Sequence, residues 1–247
     1  MFNQTSINDF FPKGHGEDKS GINKKQNGGI QNYFSNNKLN GSGSELKTNK
    51  DFQIDQNNKI SENKFKNIFS GENIIERVEV FTDGSTVNNG KRNASGGIGV
   101  FFYEPEFKNL SERYNSQNVT NQKCEILAIF KGLKIIKGKF GRHSKKINVL
   151  VHTDSDYCIK CMTSYVNNWI RNNWKLRNGG NVKNKNLIEL LLNITKEFNN
   201  VSYNHVRAHT EEPNNKNSIC YKLWYGNMMA DKLANEGRTK NQFSKNN

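Results

Sequence analysis

The stretch VEVFTDGS, residues 78–85, decides how this chain folds. Its apolar residues alternate with polar ones, which is the pattern of a β-strand, and the Asp83-Gly84 pair then marks the end of that strand. The segments SGGIGVFFYE (95–104) and LSERYNSQN (110–118) have the same strand character and are separated by Gly- and Asn-rich turns. The sequence therefore predicts a meander of three strands.

Downstream of the meander, the spacing of apolar residues changes to that of a helix. In TNQKCEILAIFKGLKIIKG (120–138) they recur at helical intervals behind Thr120, a candidate N-cap. KINVLVHTD (146–154) is nearly continuously apolar, as in strands that are buried on both faces of a sheet. Further segments are predicted as two or three helices in 155–199, a last strand in 201–209 and a last helix in 227–237. This order predicts an α/β domain over residues 74–240, with a five-stranded mixed sheet flanked by helices.

The beginning of the chain differs in composition from this domain. Residues 12–71 consist mainly of Asn, Lys, Gly and Ser with single apolar residues, which cannot bury enough surface to offset chain entropy. We therefore predict a disordered tail over residues 1–73 and a short disordered C-terminus over 241–247. The sequence shows neither a membrane-spanning run nor a signal peptide, so an intracellular protein that is not secreted is expected.

The positive charge of the chain is concentrated in the predicted domain. The formal net charge is +14, and residues 1–73 hold 10 Lys and Arg against 8 Asp and Glu. The other 174 residues hold 27 against 15. Such an excess attracts polyanions and indicates nucleic acid as a partner. A composition rich in Lys and Asn throughout is the alternative explanation.

Four carboxylates are embedded in apolar sequence and are predicted to meet at one end of the sheet. Asp83 ends the first strand, Asp154 ends the fourth, Glu125 lies on the inward side of the first helix, and Asp231 lies in the first turn of the last helix. Taken singly, each is also explained as a turn residue or a helix-terminal charge. Together, buried carboxylates imply cations between them, and hard oxygen ligands favour Mg²⁺ or Mn²⁺. Two such ions can catalyse an in-line displacement at a phosphodiester.

The segments FTDGS, GGIGV, TNQKCEILAI, VHTDS, VRAH and GNMMADKLANEG, in this order and spacing, resemble type 1 ribonuclease H over residues 77–238. The resemblance implies an RNase H-like fold and an enzyme that cuts the RNA strand of RNA/DNA hybrids with two Mg²⁺ ions, for which Mn²⁺ can substitute. The products would carry 5′-phosphate and 3′-hydroxyl ends. The implied catalytic residues are the metal-binding carboxylates Asp83, Glu125, Asp154 and Asp231, together with His209, a loop histidine for proton transfer and product departure.

The resemblance also implies a surface that contacts both strands of the hybrid. RNA 2′-hydroxyl contacts are implied for Asn89, Asn121 and Gln122. A DNA phosphate pocket is implied at Thr120 and Asn184.

This sequence departs from the family at the phosphate pocket. The family carries an arginine two residues before the pocket threonine, and Asn118 stands at that position here. The phosphate contact is therefore expected to be weaker, although an amide can still donate a hydrogen bond.

The stretch YVNNWIRNNWKLRNGGNVKNKN (165–186) resembles the basic protrusion that holds the DNA strand in this family. Aromatic rings pack on sugars or bases while cations meet phosphates. The implied DNA-strand contacts are Tyr165, Trp169, Arg171, Lys175, Arg177 and Lys183. Trp174 is interpreted instead as the core of a small helical lobe.

The segment TEEPNNKNSICYKLWY (210–225) is about a dozen residues longer than the loop that is usual at this point in the family. Its aromatic residues make it too apolar for a purely solvated loop, so we expect it either to pack over the edge of the active site or to touch substrate.

Pairs of cysteine and histidine residues raise the question of a zinc site. Cys158 and Cys161, and His205 and His209, have suggestive spacings. The two pairs are separated by more than forty residues and lie on different elements, so reduced core thiols are the better interpretation.

The segment QTSINDFF (4–11) resembles the Q-x-x-[ILM]-x-x-[FY]-[FY] peptide that docks on the sliding clamp PCNA. The implied clamp-binding residues are Gln4, Ile7, Phe10 and Phe11, and NGGIQNYF (27–34) is a weaker second copy. Such a peptide implies recruitment to DNA replication, in the nucleus or at another site of replication, where the enzyme would remove RNA primers or R-loops. A monomer is expected. The alternatives are a non-catalytic adaptor that binds hybrids or the clamp, and another nuclease of the same fold, such as a junction resolvase.

Overall fold

The computed structural model describes residues 76–240, and these form a five-stranded mixed sheet flanked by helices. The strands are β1 (Glu76–Val87), β2 (Ser95–Phe101), β3 (Leu110–Tyr114), β4 (Ile147–Thr153) and β5 (Asn200–His205). They lie in the order β3-β2-β1-β4-β5, with β1, β2 and β3 antiparallel and β1, β4 and β5 parallel. The predicted α/β fold is confirmed.

Some of the predicted features lie outside the described residues. They are the tails at 1–73 and 241–247, the clamp-binding peptide at 4–11 and its second copy at 27–34.

Five α-helices lie between and after the strands of the described region. They are α1 (Asn121–Phe140), α2 (Asp156–Lys160), α3 (Val166–Arg171), α4 (Lys185–Thr195) and α5 (Ile219–Thr239). A 3₁₀-helix (Gly141–Lys146) follows α1, and a π-helical turn (Cys161–Tyr165) joins α2 to α3. Thr120 caps α1 as predicted, because its side chain accepts a hydrogen bond from the Lys123 backbone N–H at 3.3 Å. None of the helices in residues 76–240 has the length and apolar composition that a membrane crossing requires.

Several predicted element ends were wrong, and two of them concern carboxylates. β3 ends at Tyr114 and not at Asn118, and β5 ends at His205 and not at His209. β1 does not end at Asp83 but continues to Val87, because β2 pairs with it that far, whereas the pairing with β4 stops at Phe81. Asp231 lies in the middle of α5 rather than in its first turn, because the helix begins at Ile219, behind an N-cap formed by Ser218. Part of the inserted segment is therefore helical.

The two faces of the sheet are covered by different helices. The apolar side of α1, including Ile126, Ile129 and Leu133, is buried on one face, and Gly132 of that helix lies against Val80. The other face carries α5, which lies so close that a Cβ atom on Gly97 or Gly99 of β2 would overlap its backbone. This close packing fixes the position of α5 on the sheet.

The described cysteines are free thiols. Cys124, Cys158 and Cys161 are buried, as the core interpretation predicted, whereas Cys220 is exposed on the inserted segment.

Candidate active site

The structure brings the four predicted carboxylates together at the point where β1 leaves β4. Asp83 comes from β1, Glu125 from α1, Asp231 from α5, and Asp154 directly follows β4. Asp83 is only 7% exposed. Its pKa is raised to about 8, first by burial and then by the charges of Asp154, Asp231 and Glu125 in that order. The mutual repulsion shows that the four groups share one site.

The other carboxylates of this site experience the same two effects. Burial raises the pKa of Glu125 to about 7, with a contribution from the charge of Asp154, while a hydrogen bond from the Ser155 hydroxyl opposes the change. Asn121 Nδ2 also donates to Glu125 Oε1 at 2.6 Å. Burial likewise raises the pKa of Asp154, and the nearby His209 opposes that change. Burial and like charges therefore raise the proton affinity of the cluster.

A chain of hydrogen bonds through Asn235, Ser85 and Arg238 orients the carboxylate of Asp231. Asn235 Nδ2 donates to Asp231 Oδ1 at 2.9 Å, and Ser85 Oγ donates to Asn235 Oδ1 at 2.6 Å. Arg238 Nη1 in turn donates to Ser85 Oγ at 2.8 Å. The carboxylate of Asp231 is therefore held by residues from both α5 and β1.

A small pocket of about 150 Å³ opens between Asp154 and Asp231. His209 lines it from an exposed loop, as the predicted role of this residue requires, with its backbone in the left-handed region at φ 51°. Asn227 lines the pocket as well and is 6% exposed, and its Oδ1 has no hydrogen-bond partner. The sequence analysis missed Asn227, although its position four residues before Asp231 places the two side chains on the same face of a helix.

The residues at this site fit a divalent metal ion by their chemistry. Carboxylate oxygens repel one another until a hard cation shares them, and the unpartnered amide oxygen of Asn227 is also a suitable acceptor for a hydrated ion. Among residues 76–240, no three His, Cys, Asp or Glu side chains are arranged to hold a metal ion as they stand. Glu125 and Asp231 are instead held by neighbouring amides, at 2.6 Å and 2.9 Å.

The residues predicted to contact the RNA strand lie next to the carboxylates. Asn89 Oδ1 accepts a hydrogen bond from the backbone N–H of Asn121 at 3.2 Å, and the side chain of Asn121 bonds to Glu125. Asn184 Nδ2 is 3.5 Å from Gln122 Oε1. These amides therefore form one polar surface that is continuous with the carboxylate cluster.

The predicted phosphate pocket surrounds the N-terminus of α1. Thr120 caps this helix, and Asn184 Nδ2 donates to the Tyr157 hydroxyl at 3.2 Å. Lys123 Nζ donates to the backbone oxygen of Asn118 at 2.6 Å, so a cation lies beside the position that lacks the expected arginine.

The segment predicted to hold the DNA strand forms a groove of about 510 Å³. The walls of the groove are Tyr165, Asn168, Trp169, Asn172, Lys175, Leu176 and Arg177. Arg171 is not among them, because its guanidinium bonds to the Asn167 carbonyl and the Asn168 side chain. Trp174 is half-buried with its ring 6.2 Å from that of Trp169, so it extends the aromatic row and does not form the core of a helical lobe.

The inserted segment packs over the edge of the pocket, which was one of the two expected arrangements. Residues 219–225 form the first turns of α5, and Trp224 and Thr210 line the pocket beside Asp154. Tyr225 packs against Phe101 and Tyr103, with ring centroids 6.0 Å and 6.1 Å apart.

An ion network that the sequence did not reveal anchors this end of α5. Glu79 Oε2 accepts from His152 Nε2 at 3.2 Å and from Lys222 Nζ at 2.9 Å. The hydrogen bond from His152 is the largest cause that lowers the pKa of Glu79 to about 2, and Lys222 adds to it. Its members are separated by 73 and 143 residues in the chain, so no local pattern joins them.

The cysteine and histidine pairs that were considered as zinc ligands are not brought together. His205 Nε2 donates to the Asp154 backbone oxygen at 3.2 Å, while Cys158 and Cys161 are buried around α2. The part of the chain that the structure describes holds no metal-binding cluster of Cys and His.

Comparison with known proteins supports the relationship that the site suggests. The RNase H family model matches residues 75–239. Ribonuclease H of Schizosaccharomyces pombe is 32% identical over 162 residues, which cover 66% of this chain and 53% of that protein. Ribonuclease HI of Haemophilus ducreyi is 33% identical over 150 residues, which cover 60% of this chain and 88% of that protein.

A solved structure agrees with these matches at the level of the fold. The foamy viral protease-reverse transcriptase in complex with an RNA/DNA hybrid superposes with a TM-score of 0.51 at 21% identity, over 68% of this chain and 21% of that one. The match to the S. pombe protein spans about half of that protein's length. By the family model and the relatives together, the chain belongs to the RNase H family.

Proposed function

We propose that this chain is an endoribonuclease that hydrolyses the RNA strand of RNA/DNA hybrids and leaves 5′-phosphate and 3′-hydroxyl ends. The observation that carries the proposal is the cluster of four carboxylates around Asp83, whose pKa is raised to about 8. Such a cluster is stable in its ionised form when cations share it. The relatives named ribonuclease H support the choice of reaction.

The proposed cofactor is a pair of Mg²⁺ ions, for which Mn²⁺ can substitute. The residues that would hold them are Asp83, Glu125, Asp154 and Asp231. When bound, the ions would polarise the scissile phosphate and make the attacking water more acidic. Ser85 and Asn235 keep Asp231 turned towards the site through their hydrogen bonds. His209, at the edge of the pocket, would carry a proton and assist the departure of the product.

The proposed substrate preference rests on two surfaces beside the carboxylates. Asn89, Asn121 and Gln122 offer amide groups that can bond to 2′-hydroxyls, which only the RNA strand carries. The groove along Trp169 and Lys175 offers stacking surface and positive charge for the DNA strand. Asn121 belongs to both the polar surface and the cluster, so it would couple recognition of RNA to the reacting phosphate.

The test is an assay of purified protein with Mg²⁺ or Mn²⁺ on RNA/DNA, RNA/RNA and DNA/DNA duplexes of one sequence and on a branched DNA. Cleavage of only the RNA strand of the hybrid, abolished by chelation, is the expected result. Binding of the hybrid without cleavage would favour a non-catalytic adaptor. Cleavage of branched DNA in preference to the hybrid would favour a junction resolvase.

We also propose that the clamp-like peptide recruits the enzyme to PCNA at DNA replication, in the nucleus or at another site of replication, for removal of RNA primers or R-loops. The support is the sequence match at Gln4, Ile7, Phe10 and Phe11, which lie outside the described residues. Calorimetry with PCNA is the test. Replacing Phe10 and Phe11 together with Ala should abolish binding and leave hydrolysis of a short free hybrid unchanged, and intact clamp binding in that variant would refute the assignment.

A further inference from the structure

The loop that carries His209 is held by few contacts. His209 itself has a left-handed backbone at φ 51°, a conformation that side chains other than glycine adopt at a cost of about 1 kcal/mol and keep only when neighbours impose it. Val206 N–H donates to the Thr153 carbonyl at 3.0 Å before the loop, and Asn215 accepts from Ser218 after it. Between these points the loop is exposed for most of its length.

One hydrogen bond crosses from the loop to α5. Trp224 Nε1 donates to the backbone oxygen of Thr210, the residue after His209, at 3.0 Å. Within the described part of the chain, no other hydrogen bond joins residues 207–214 to the rest of the domain. The same two residues line the pocket beside His209, Asp154 and Asp231.

The donor of this bond belongs to a part of α5 that is itself fixed. Lys222, two residues before Trp224, bonds to Glu79 at 2.9 Å, and its backbone oxygen accepts from the Tyr103 hydroxyl at 2.8 Å. Tyr225 packs in the aromatic cluster of Phe101 and Tyr103. An indole on such a helix is a rigid donor, whereas a donor on a mobile segment would move with the loop.

We propose that Trp224 is a positioning residue that holds the His209 loop over the carboxylate cluster through the Thr210 carbonyl. The inserted segment thus lengthens the loop but also supplies the hydrogen bond that holds it, which we call the tether. This inference rests on the proposed function, since it assigns His209 a part in turnover. Trp224 acts on the reaction through His209, because its indole binds the loop and not the substrate.

The test compares Trp224→Phe with Tyr221→Phe in the full-length chain. The first variant keeps an aromatic ring but lacks the indole N–H. The second removes a hydroxyl from the preceding turn of the same helix. The hydrogen bond from the Tyr221 backbone N–H to Ser218 Oγ, at 3.1 Å, does not involve that hydroxyl and is kept. Hydrogen exchange reports the loop directly. The amides of residues 207–211 should exchange about three- to ten-fold faster in Trp224→Phe, as expected for the loss of one hydrogen bond. In Tyr221→Phe their exchange rates should be unchanged.

Kinetics on the hybrid give the second measurement. Trp224→Phe should lower kcat about three- to ten-fold with KM within about two-fold of the wild type, while Tyr221→Phe keeps both. In a His209→Ala background, Trp224→Phe should cause no further loss, since the group that the tether positions is already absent. An equal loss in both backgrounds, or unchanged loop exchange, would overturn the proposal.

A measurement on the wild type covers the case in which Trp224→Phe does not fold. The chain has three tryptophans, and the indole N–H of Trp224 should exchange with solvent at least ten-fold more slowly than a free indole. Exchange at the free rate would overturn the proposal. A wild type that shows protected exchange but cleaves no hybrid would refute the proposed function and leave the tether in place.

Discussion

Glu79 and Asp83 stand four residues apart on β1 and point to the same face, yet their carboxylates have opposite surroundings. Glu79 receives hydrogen bonds from His152 and Lys222, and its pKa is lowered to about 2. Asp83 is buried among three other carboxylates, and its pKa is raised to about 8. One strand therefore carries a carboxylate with cationic partners, the matched group Glu79, and a carboxylate surrounded by like charges, the unmatched group Asp83.

The comparison shows that burial of a carboxylate does not by itself indicate function. The matched group, Glu79, joins β1, β4 and α5 and stabilises the domain around it. The unmatched group, Asp83, is repelled by the neighbouring carboxylates, and a bound cation can relieve that repulsion. Replacing each carboxylate by its amide should therefore distinguish the two roles: the change at Asp83 should affect cleavage, and the change at Glu79 should lower the stability of the fold.

The largest expected effect is on cleavage by Asp83→Asn. The change removes one ligand charge from the cluster, so turnover of the hybrid should fall by at least about a thousand-fold while hybrid binding remains largely intact. Single-turnover kinetics and a binding assay with the same duplex measure the two effects. Glu79→Gln is the matched control, because it makes the same kind of change on the same strand and should retain cleavage. Near-normal turnover in Asp83→Asn would contradict the proposed mechanism.

The same variant should gain stability in the absence of metal. Because the pKa of Asp83 is about 8 in the folded state and 3.8 is its ordinary value, wild-type stability falls as pH rises from about 4 to 8. Asp83→Asn lacks this decline and should be more stable by about 3 kcal/mol near pH 8 in a chelating buffer. Denaturant unfolding at several pH values measures the difference. Identical pH profiles for the two proteins would show that the repulsion is absent.

Glu79→Gln should have the opposite effect on stability. The pKa of Glu79 is lowered in the folded state, so its contribution is present above about pH 4.5 and is lost as pH falls towards 2. The variant should lose about 2 kcal/mol at pH 7, and the deficit should disappear near pH 2. Glu197→Gln is the control, since its carboxylate meets Lys137 at 2.7 Å on the surface, and it should change stability by less than about 0.5 kcal/mol. A deficit that persists at low pH would point to packing rather than charge.

The smallest expected effect comes from a charge added on the substrate side, away from β1. Asn118→Arg should strengthen hybrid binding by about 1 kcal/mol through a charge-assisted phosphate contact. The binding should also become more dependent on salt. Titrations at several salt concentrations measure the slope. An unchanged slope would indicate that this phosphate is already neutralised, for which Lys123, 2.6 Å from the Asn118 carbonyl, is the available cation.

The sequence predicted the features that depend on local pattern. The order of the elements and the sheet followed from apolar periodicity, and the cap at Thr120 followed from its position before a helix. The convergence of four acidic residues was predicted as well, although Asp83 and Asp231 lie inside their elements and not at the ends where they were expected. Their roles came from a family resemblance rather than from the pattern.

The features that the sequence did not reveal depend on contacts between distant segments. The start of α5 was missed because the polar residues before Ser218 resemble a loop until the helix packs on the sheet. The network of Glu79, His152 and Lys222 has no local signature, since its members come from three elements. The part of β1 beyond Asp83 was missed because its length is set by pairing with β2 and not by its own residues.

The close contact between β2 and α5 affects how inactive variants of this protein would be interpreted. Gly97 and Gly99 carry no functional group, but a methyl group at either position would overlap the carbonyl of Ala234 or Ala230, and Ala230 directly precedes Asp231. A single alanine there would lift the helix and carry one of the four carboxylates away from the others. A screen for inactive variants should therefore return these two glycines beside the acidic residues, and a reader of that screen would wrongly assign them to the chemistry.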